Sequence, residues 1–370
     1  MAWLRHATTT ELYTHRKMIH LDGAYGEGGG QILRTALVLS LLTGQPFRID
    51  DIRRGRPISG LKPQHLHIVK ALLQMSDARA DGVAPGSLSL AFWPGHLRPG
   101  DYRLDVGTAG AIPLMLQTLL PASMFAAGRV RWSLIGGTDV RGAMTMDFWQ
   151  QVLAPFLQNY AAGLELRTER PGYYPAGGGR VSFTVEPALY QGDWPRRAAQ
   201  MPPLALAARG ELRRVRIWSR ASASLADRRV AERQAAACVE VLGTQAADVQ
   251  VAYGESHSPG SSLTAVAEYA HTRLGADALG ERGKPAEEVG RAAAQRLQTE
   301  MAAGGTVDMH TADNLLLWVA LFGGGFTVDQ VSGHLATNAW VIDQFLPHAL
   351  TVEGATVGGA RAVGRVSYPP

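Results

Sequence analysis

Five clusters in the 370-residue chain carry side chains able to do chemistry. Gly23-Ala-Tyr-Gly-Glu-Gly-Gly-Gly-Gln31 is a glycine-dense turn leading into an apolar helix pattern. Such a turn presents backbone N–H groups and the positive end of a helix, which suit an anion. Glu27 is out of place in a pure anion cradle and could bind a metal or orient a water. The plain alternative is a tight strand-to-helix connection. Ile52-Arg53-Arg54-Gly-Arg56-Pro runs on to Gly60-Leu-Lys-Pro-Gln64-His65, placing three arginines ahead of a helix start. That suits phosphates, or else it is a solvated basic loop. His310-Thr311-Ala312-Asp313-Asn314 opens another helix pattern. Its Asp and Asn read either as helix caps or as hard oxygen ligands for Mg²⁺ or Mn²⁺. Ser332-Gly-His334-Leu-Ala-Thr-Asn338 sets a histidine beside a glycine at a helix start. A lone histidine is more often structural, yet neutral imidazole is a competent nucleophile near pH 7. Arg214, Arg216, Trp218 and Arg220 alternate onto one strand face. That face is either a phosphate-tracking surface with an aromatic or solvated.

Composition narrows the chemistry. Lys17, Lys62, Lys70 and Lys284 are the only lysines, so 32 of the 36 basic residues are arginine. Arginine favours bidentate phosphate recognition, although a GC-rich genome gives the same ratio. The net charge of +4 permits an anionic partner. No G-x-x-x-x-G-K-[ST] run occurs, which argues against a P-loop ATPase. No lysine has an Asp-Gly beside it, which argues against a lysine-based nucleotidyl transferase. Cys238 is the only cysteine, so disulfide frameworks and cysteine-based zinc sites are excluded. No apolar run reaches about 18 residues, so no membrane span is expected. Met1–Lys17 is polar without an apolar signal-peptide centre, which reads as a loose extension of a cytoplasmic protein.

Three segments share one grammar of turn, apolar helix and short strand. They start at Gly28, Thr108 and Thr311 and end near 47–52, 130–135 and 326–328. Each is followed by an amphipathic helix pattern, at Gln64–Met75, Thr145–Tyr160 and His334–Phe345, with Leu66, Val69, Leu72 and Leu73 lining one side of the first. Short extended stretches with Gly-rich turns come next. The expected class is therefore α/β (α+β): three β-α-β-α-β-β units packed together, because one unit buries little alone. The period breaks between about Pro187 and Pro285. A strand, helix, strand, strand order there predicts a smaller α/β domain inserted between units two and three. The expected organisation is an extension over 1–18, a repeat domain over 19–186 and 286–370, and an insert over 187–285. Unit three is expected to resume with the helix Ala286–Ala302.

Taken together, these motifs resemble the RNA 3'-terminal phosphate cyclase family over about residues 19–350. The resemblance rests on Asp22-Gly-Ala-Tyr-Gly-Glu-Gly-Gly-Gly-Gln-Ile-Leu-Arg34, Ile52–Arg56 with Gln64-His65, Gly136-Gly-Thr-Asp139, Gly172-Tyr-Tyr-Pro-Ala-Gly-Gly-Gly179 and Gly333–Asn338. It implies three repeats with an inserted α/β domain and an ATP-dependent reaction in three steps. A histidine takes AMP from ATP, AMP passes to an RNA 3'-phosphate, and the 2'-OH expels it to leave a 2',3'-cyclic phosphate. The resemblance places His334 at the nucleophile position. It places Gln117 and His310, Thr311, Ala312, Asp313 and Asn314, with Glu27, at the ATP, and Glu27 and Asp313 at a Mg²⁺ or Mn²⁺ ion. Arg34, Arg53, Arg56, Gln64 and His65 fall where the family gathers phosphates, and the implied partner is RNA with a 3'-phosphate end. His310 stands where members often carry an aromatic or another residue. The insert is the least similar part.

Three other functions fit parts of the pattern. A non-catalytic, ribosome-assembly branch of the same family keeps the fold and loses the nucleophile, which His334 argues against. Enolpyruvyl transferases share the β-α-β-α-β-β unit and need no histidine nucleophile. A nucleic-acid-binding module without chemistry would fit the basic pI.

Overall fold

The computed structural model describes residues 17–243 and 246–359. The expected N-terminal extension lies almost wholly outside the described residues. The structure is mixed α/β, with four four-stranded sheets.

Three of the sheets follow one plan. Strands β1 (Ile19–Asp22), β2 (Phe47–Asp50), β3 (Arg79–Asp81) and β4 (Leu90–Trp93) lie in the order β1-β2-β4-β3. The first pair is parallel and the others are antiparallel. Strands β5 (Gly100–Asp105), β6 (Val130–Gly136), β7 (Ala161–Arg170) and β8 (Gly179–Pro187) repeat the order as β5-β6-β8-β7 with the same pairing senses. The third sheet reads β9-β14-β16-β15, from β9 (Leu204–Ala205), β14 (Gly324–Thr327), β15 (Leu350–Glu353) and β16 (Thr356–Gly359). A parallel pair needs a crossover, and a helix fills it in each sheet: Gln31–Thr43, Ile112–Met124 and Met309–Phe322.

These crossover helices are apolar on nearly every side and occupy the centre of the main core. Gly44 ends the first in a left-handed turn, its N–H returning to the Ser40 carbonyl. The second helix of unit one covers the outside and buries one stripe, whereas the run expected at Thr145–Tyr160 is broken into short α, π and 3-10 turns and largely buried. Pro63–Gln74 buries Leu66, Val69 and Leu72 and leaves Lys70 exposed.

The fourth sheet is built from β10 (Leu212–Ser222), β11 (Ala246–Gly254), β12 (Ser261–Tyr269) and β13 (Arg273–Leu279) in the order β11-β10-β12-β13. It has its own core, closed by the helices Val230–Leu242 and Ala286–Ala302. Two expected boundaries move. The helix Ala286–Ala302, expected to open unit three, buries Val289, Ala293, Ala294 and Leu297 in the insert's core instead. The segment from Pro187 to about residue 206, assigned to the insert, belongs to the main core through Leu189, Trp194 and Leu204. The Trp194 indole donates to the Leu42 carbonyl at 2.8 Å. The third sheet thus begins at β9, and the insert interrupts it between its first strand and its crossover helix. A two-residue strand carries too little periodicity to be read from sequence. Among the described residues no helix is long and apolar enough to cross a membrane.

Candidate active site

Every chemistry-bearing turn of the first and third sheets opens into one cleft of about 940 Å³. The glycine-rich turn forms one wall. Gly26 and Gly28 both take left-handed φ, at +55° and +54°, and so bracket Glu27 on a tight bend. A Cβ on Gly30 would run into the His65 Nε2 atom and press on Arg34. Glycine at position 30 is therefore the condition for bringing the helix start against the basic groups.

The arginine loop forms the next wall. Asp51 and Arg53 hold left-handed φ of +52° and +59° although neither is glycine. Such strain persists where surrounding structure imposes it, often at functional sites. Here the Arg54 guanidinium pairs with Asp51 at 2.8 Å, and Arg53 Nη2 donates to the Ile58 carbonyl at 3.2 Å. The loop feeds the helix Pro63–Gln74. His65 Nδ1 accepts the Lys62 backbone N–H at 3.1 Å, capping the helix start. That acceptor role leaves the proton on Nε2.

The corner these walls enclose is crowded with donors and short of acceptors. Arg53 Nε, Arg56 Nε, His65 Nε2 and Gln31 Nε2 are all buried without a hydrogen-bond partner. Arg34 is buried, and its Nε donates to Gln117 Oε1 at 2.9 Å. Burial first, and then the neighbouring Arg53 charge, lowers the Arg34 guanidinium to about 10. Burial lowers His65 to about 3, helped by Arg34, Arg53 and Lys62, so the imidazole is neutral. Burial and the Arg56 charge also lower Arg53. Buried donors are almost always paired. Four orphaned N–H groups facing one space, among uncompensated cations, describe a site for an anion with several oxygens.

His334 stands across the cleft. Ser332 caps its helix, accepting the Leu335 N–H at 2.9 Å and donating to Asp313 Oδ1 at 3.1 Å. His334 Nδ1 lies 2.6 Å from Glu27 Oε2, and Arg56 reaches the same oxygen at 3.1 Å. Nδ1 faces the Glu27 carboxylate, which turns Nε2 away from it, and the half-exposed ring lines the cleft. Asp313 is raised to about 6, chiefly by burial, while His334, Ser332 and His310 favour its charged form. His310 is exposed and meets Phe148 edge-on. Asn314 bonds the His310 carbonyl at 2.8 Å.

Most of the residues singled out by sequence therefore meet. Glu27, Arg34, Arg53, Arg56, Gln64, His65, Gln117, His310, Asp313, Asn314 and His334 all line the cleft. Thr311 and Ala312 do not; both are buried in the core. The helix cap is Asp308, which accepts the Thr311 N–H and hydroxyl, each at 2.8 Å. Asp313 and Asn314 lie one turn further in and cap nothing. Gly136–Asp139 and Gly172–Gly179 lie outside the cleft, at the joint between the second sheet and the insert. There Thr138 donates to Asp139 at 2.6 Å and accepts the Gly172 N–H at 2.9 Å. The strand face of the insert is partly solvated at Arg214, and its arginines are not free for phosphates. Arg214 pairs with Glu268, Arg216 with Asp248, and Arg220 with Asp147, while Trp218 is buried. Sequence reasoning missed Gln31 and Ser332. Both stand at a helix start, Gln31 as the first helical residue and Ser332 as the cap. It also missed Asp277, Lys284 and Arg296 of the insert, which close the cleft's far side. No local spacing joins those to the rest.

Fold and site together define a class: an α/β protein whose cleft can hold phosphate groups beside an imidazole with a free Nε2. The family described as RNA 3'-terminal phosphate cyclase matches residues 25–352. The chain is 40% identical over 340 residues to a protein of Pyrococcus furiosus, covering 91% of this chain and 96% of that one. It is 43% identical to one of Caldivirga maquilingensis, over 89% and 93% of the two chains. It is 42% identical to one of Thermococcus onnurineus, over 94% and 99%. Each of the three is named RNA 3'-terminal phosphate cyclase. The chain belongs to the RNA 3'-terminal phosphate cyclase family.

Proposed function

We propose that the chain converts an RNA 3'-terminal phosphate to a 2',3'-cyclic phosphate at the expense of ATP, through AMP carried on His334. The observation that carries this is the 2.6 Å contact from Glu27 to His334 Nδ1 beside the corner of orphaned donors. His334 Nε2 attacks the α-phosphorus of ATP, forming an N–P bond as the bond to pyrophosphate breaks. An oxygen of the RNA 3'-phosphate then attacks the same phosphorus, and the N–P bond breaks. The adjacent 2'-OH attacks the 3'-phosphorus, loses its proton and expels AMP. Adenylation is needed because a bare phosphate carries no good leaving group.

The chain's groups divide this work. Glu27 holds the ring with Nε2 outward and steadies the charge that grows on imidazole during attack. Arg34, Arg53, Arg56, His65 and Gln31 offer N–H groups to pyrophosphate oxygens and then to the RNA 3'-phosphate. His310, Asn314 and Gln117 line the space left for the nucleoside. The basic cleft and the family support RNA as the partner.

A divalent cation fits the donor set as a companion of ATP. Glu27 and Asp313 present hard oxygens to one mouth, and among the described residues no cluster of three His, Cys, Asp or Glu forms there. Phosphate oxygens and water would complete the shell, the usual habit of Mg²⁺. The ion would supply charge neutralisation on the phosphates.

Incubation with α-labelled ATP and Mg²⁺ or Mn²⁺, then denaturation, tests the reading. Label is expected on protein in an acid-labile, alkali-stable bond, and His334→Asn should remove it without changing the thermal midpoint. RNA ending in a 3'-phosphate should discharge the label and gain a cyclic end. Label that persists in His334→Asn overturns the nucleophile. RNA binding with no label at all would favour a non-catalytic family member.

A further inference from the structure

Glu27 is held to the histidine helix by surprisingly little backbone. Its N–H reaches Thr337 Oγ1 only at a long 3.3 Å, while that hydroxyl is already donating to the Gly333 carbonyl at 2.7 Å. The carboxylate rides on a four-residue turn, Tyr25 to Gly28, closed by the Gly28 N–H to the Tyr25 carbonyl at 2.8 Å. Both neighbours of Glu27 are glycines with left-handed φ, so nothing stiffens the chain on either side. The turn also packs on the helix, Gly26 against Thr337 and Glu27 against Gly333, and its first residue adds a side-chain tie. The Tyr25 ring stacks on Trp340, with centroids 4.0 Å apart and planes 15° from parallel. Tyr25 is 42% exposed, so burial does not explain its place. Trp340 packs against the main core and lies on the helix Gly333–Phe345 that begins beside His334.

We propose that Tyr25 and Trp340 are positioning residues that set the Glu27–His334 contact. The stack ties the turn carrying the carboxylate to the helix carrying the imidazole. A stack of this kind holds distance and orientation together, which a single long hydrogen bond does not. A displacement of about 1 Å would open the short Glu27–His334 contact and let the ring rotate, and misplacement of that size costs rate more than affinity. Neither aromatic lines the cleft, so their removal reaches the cleft only through Glu27 and leaves its other groups in place. The inference rests on His334 as the group that takes AMP.

Single-turnover labelling with α-labelled ATP and Mg²⁺ tests it. Tyr25→Leu should slow the maximal labelling rate roughly ten-fold with the half-saturating ATP concentration unchanged. Tyr25→Phe keeps the ring and should restore the rate. Trp340→Leu should match Tyr25→Leu. In a Glu27→Gln background, Tyr25→Leu should add less than about two-fold, because the stack acts through Glu27. An unchanged rate in Tyr25→Leu, an equal loss in the Glu27→Gln background, or an effect confined to the KM for RNA would each overturn the proposal. Wild-type protein that takes no label overturns the proposed function itself, and this inference with it.

Discussion

Two arginine-rich regions of this molecule look alike in one dimension and behave oppositely in three. Arg53 and Arg56 flank the cleft with Arg34 beneath them; Arg214, Arg216 and Arg220 run along β10 of the insert. Each of these three β10 guanidiniums has a carboxylate. Glu268 alone receives Arg214 at 2.6 Å and Arg273 at 3.0 Å, with Arg216 at 3.6 Å. Arg220 grips Asp147 through two nitrogens, at 2.9 and 3.2 Å. Within the cleft, Glu27 is shared between Arg56 and His334, and buried donors are left over. Paired cations hold the insert to itself and to the second sheet. In the cleft, buried donors stand without an oxygen from the fold.

The contrast breaks most visibly at Arg34. Arg34→Met removes a buried cation that no carboxylate balances. RNA cyclisation is expected to fall on the order of a hundred-fold, as when a group aimed at developing charge is lost. The urea midpoint should stay level or rise, since an uncompensated buried charge goes with it. Falling stability with full activity would mean that Arg34 is structural.

Glu268→Gln should act the other way. Stability is expected to drop by about 1–3 kcal/mol, with turnover held within about two-fold. The same carboxylate sets an acid limb. Burial alone would raise Glu268, but the Arg214 bond and the charges of Arg273, Arg214 and Arg216 outweigh it and hold the group below 4.5. The unfolded chain then takes up the proton at a higher pH than the folded one. The contribution is complete above about pH 4.5 and is lost as pH falls through the lower, folded value. Urea midpoints against pH should show this limb in the wild type and a flatter one in Glu268→Gln.

The smallest effect sharpens the comparison. Arg214→Ala removes a half-exposed cation whose charge is already spent on Glu268. The KM for RNA should stay within about two-fold, and stability should change by about 0–1 kcal/mol. A KM that climbs steeply would return the insert's strand face to RNA binding.

Much of the fold was legible in the residues because its periods are strong. The apolar helices after Gly30, Ala111 and Asp308 and the striped helices after them announce themselves by spacing. The two-residue β9 and the allegiance of helix Ala286–Ala302 were not legible. A short strand has no period, and an amphipathic stripe says that a face is buried without saying against what. The site followed the same division. Glu27, Arg53, Arg56, His65 and His334 stood out by type and neighbourhood. Thr311 and Ala312 entered through the family resemblance, whereas a helix turns consecutive residues about 100° apart and puts these two side chains in the core.

By itself the sequence determined which groups exist to do chemistry: histidines at helix starts, a carboxylate between flexible glycines, and arginine nearly everywhere lysine might have been. Tertiary structure decided which charges are spent and which remain. Pairing depends on what lies within about 4 Å across the fold, and Glu268 lies 54 residues from Arg214 while His334 lies hundreds from Glu27. No local spacing encodes those distances, and they separate an arginine that braces a sheet from one whose buried N–H has no partner.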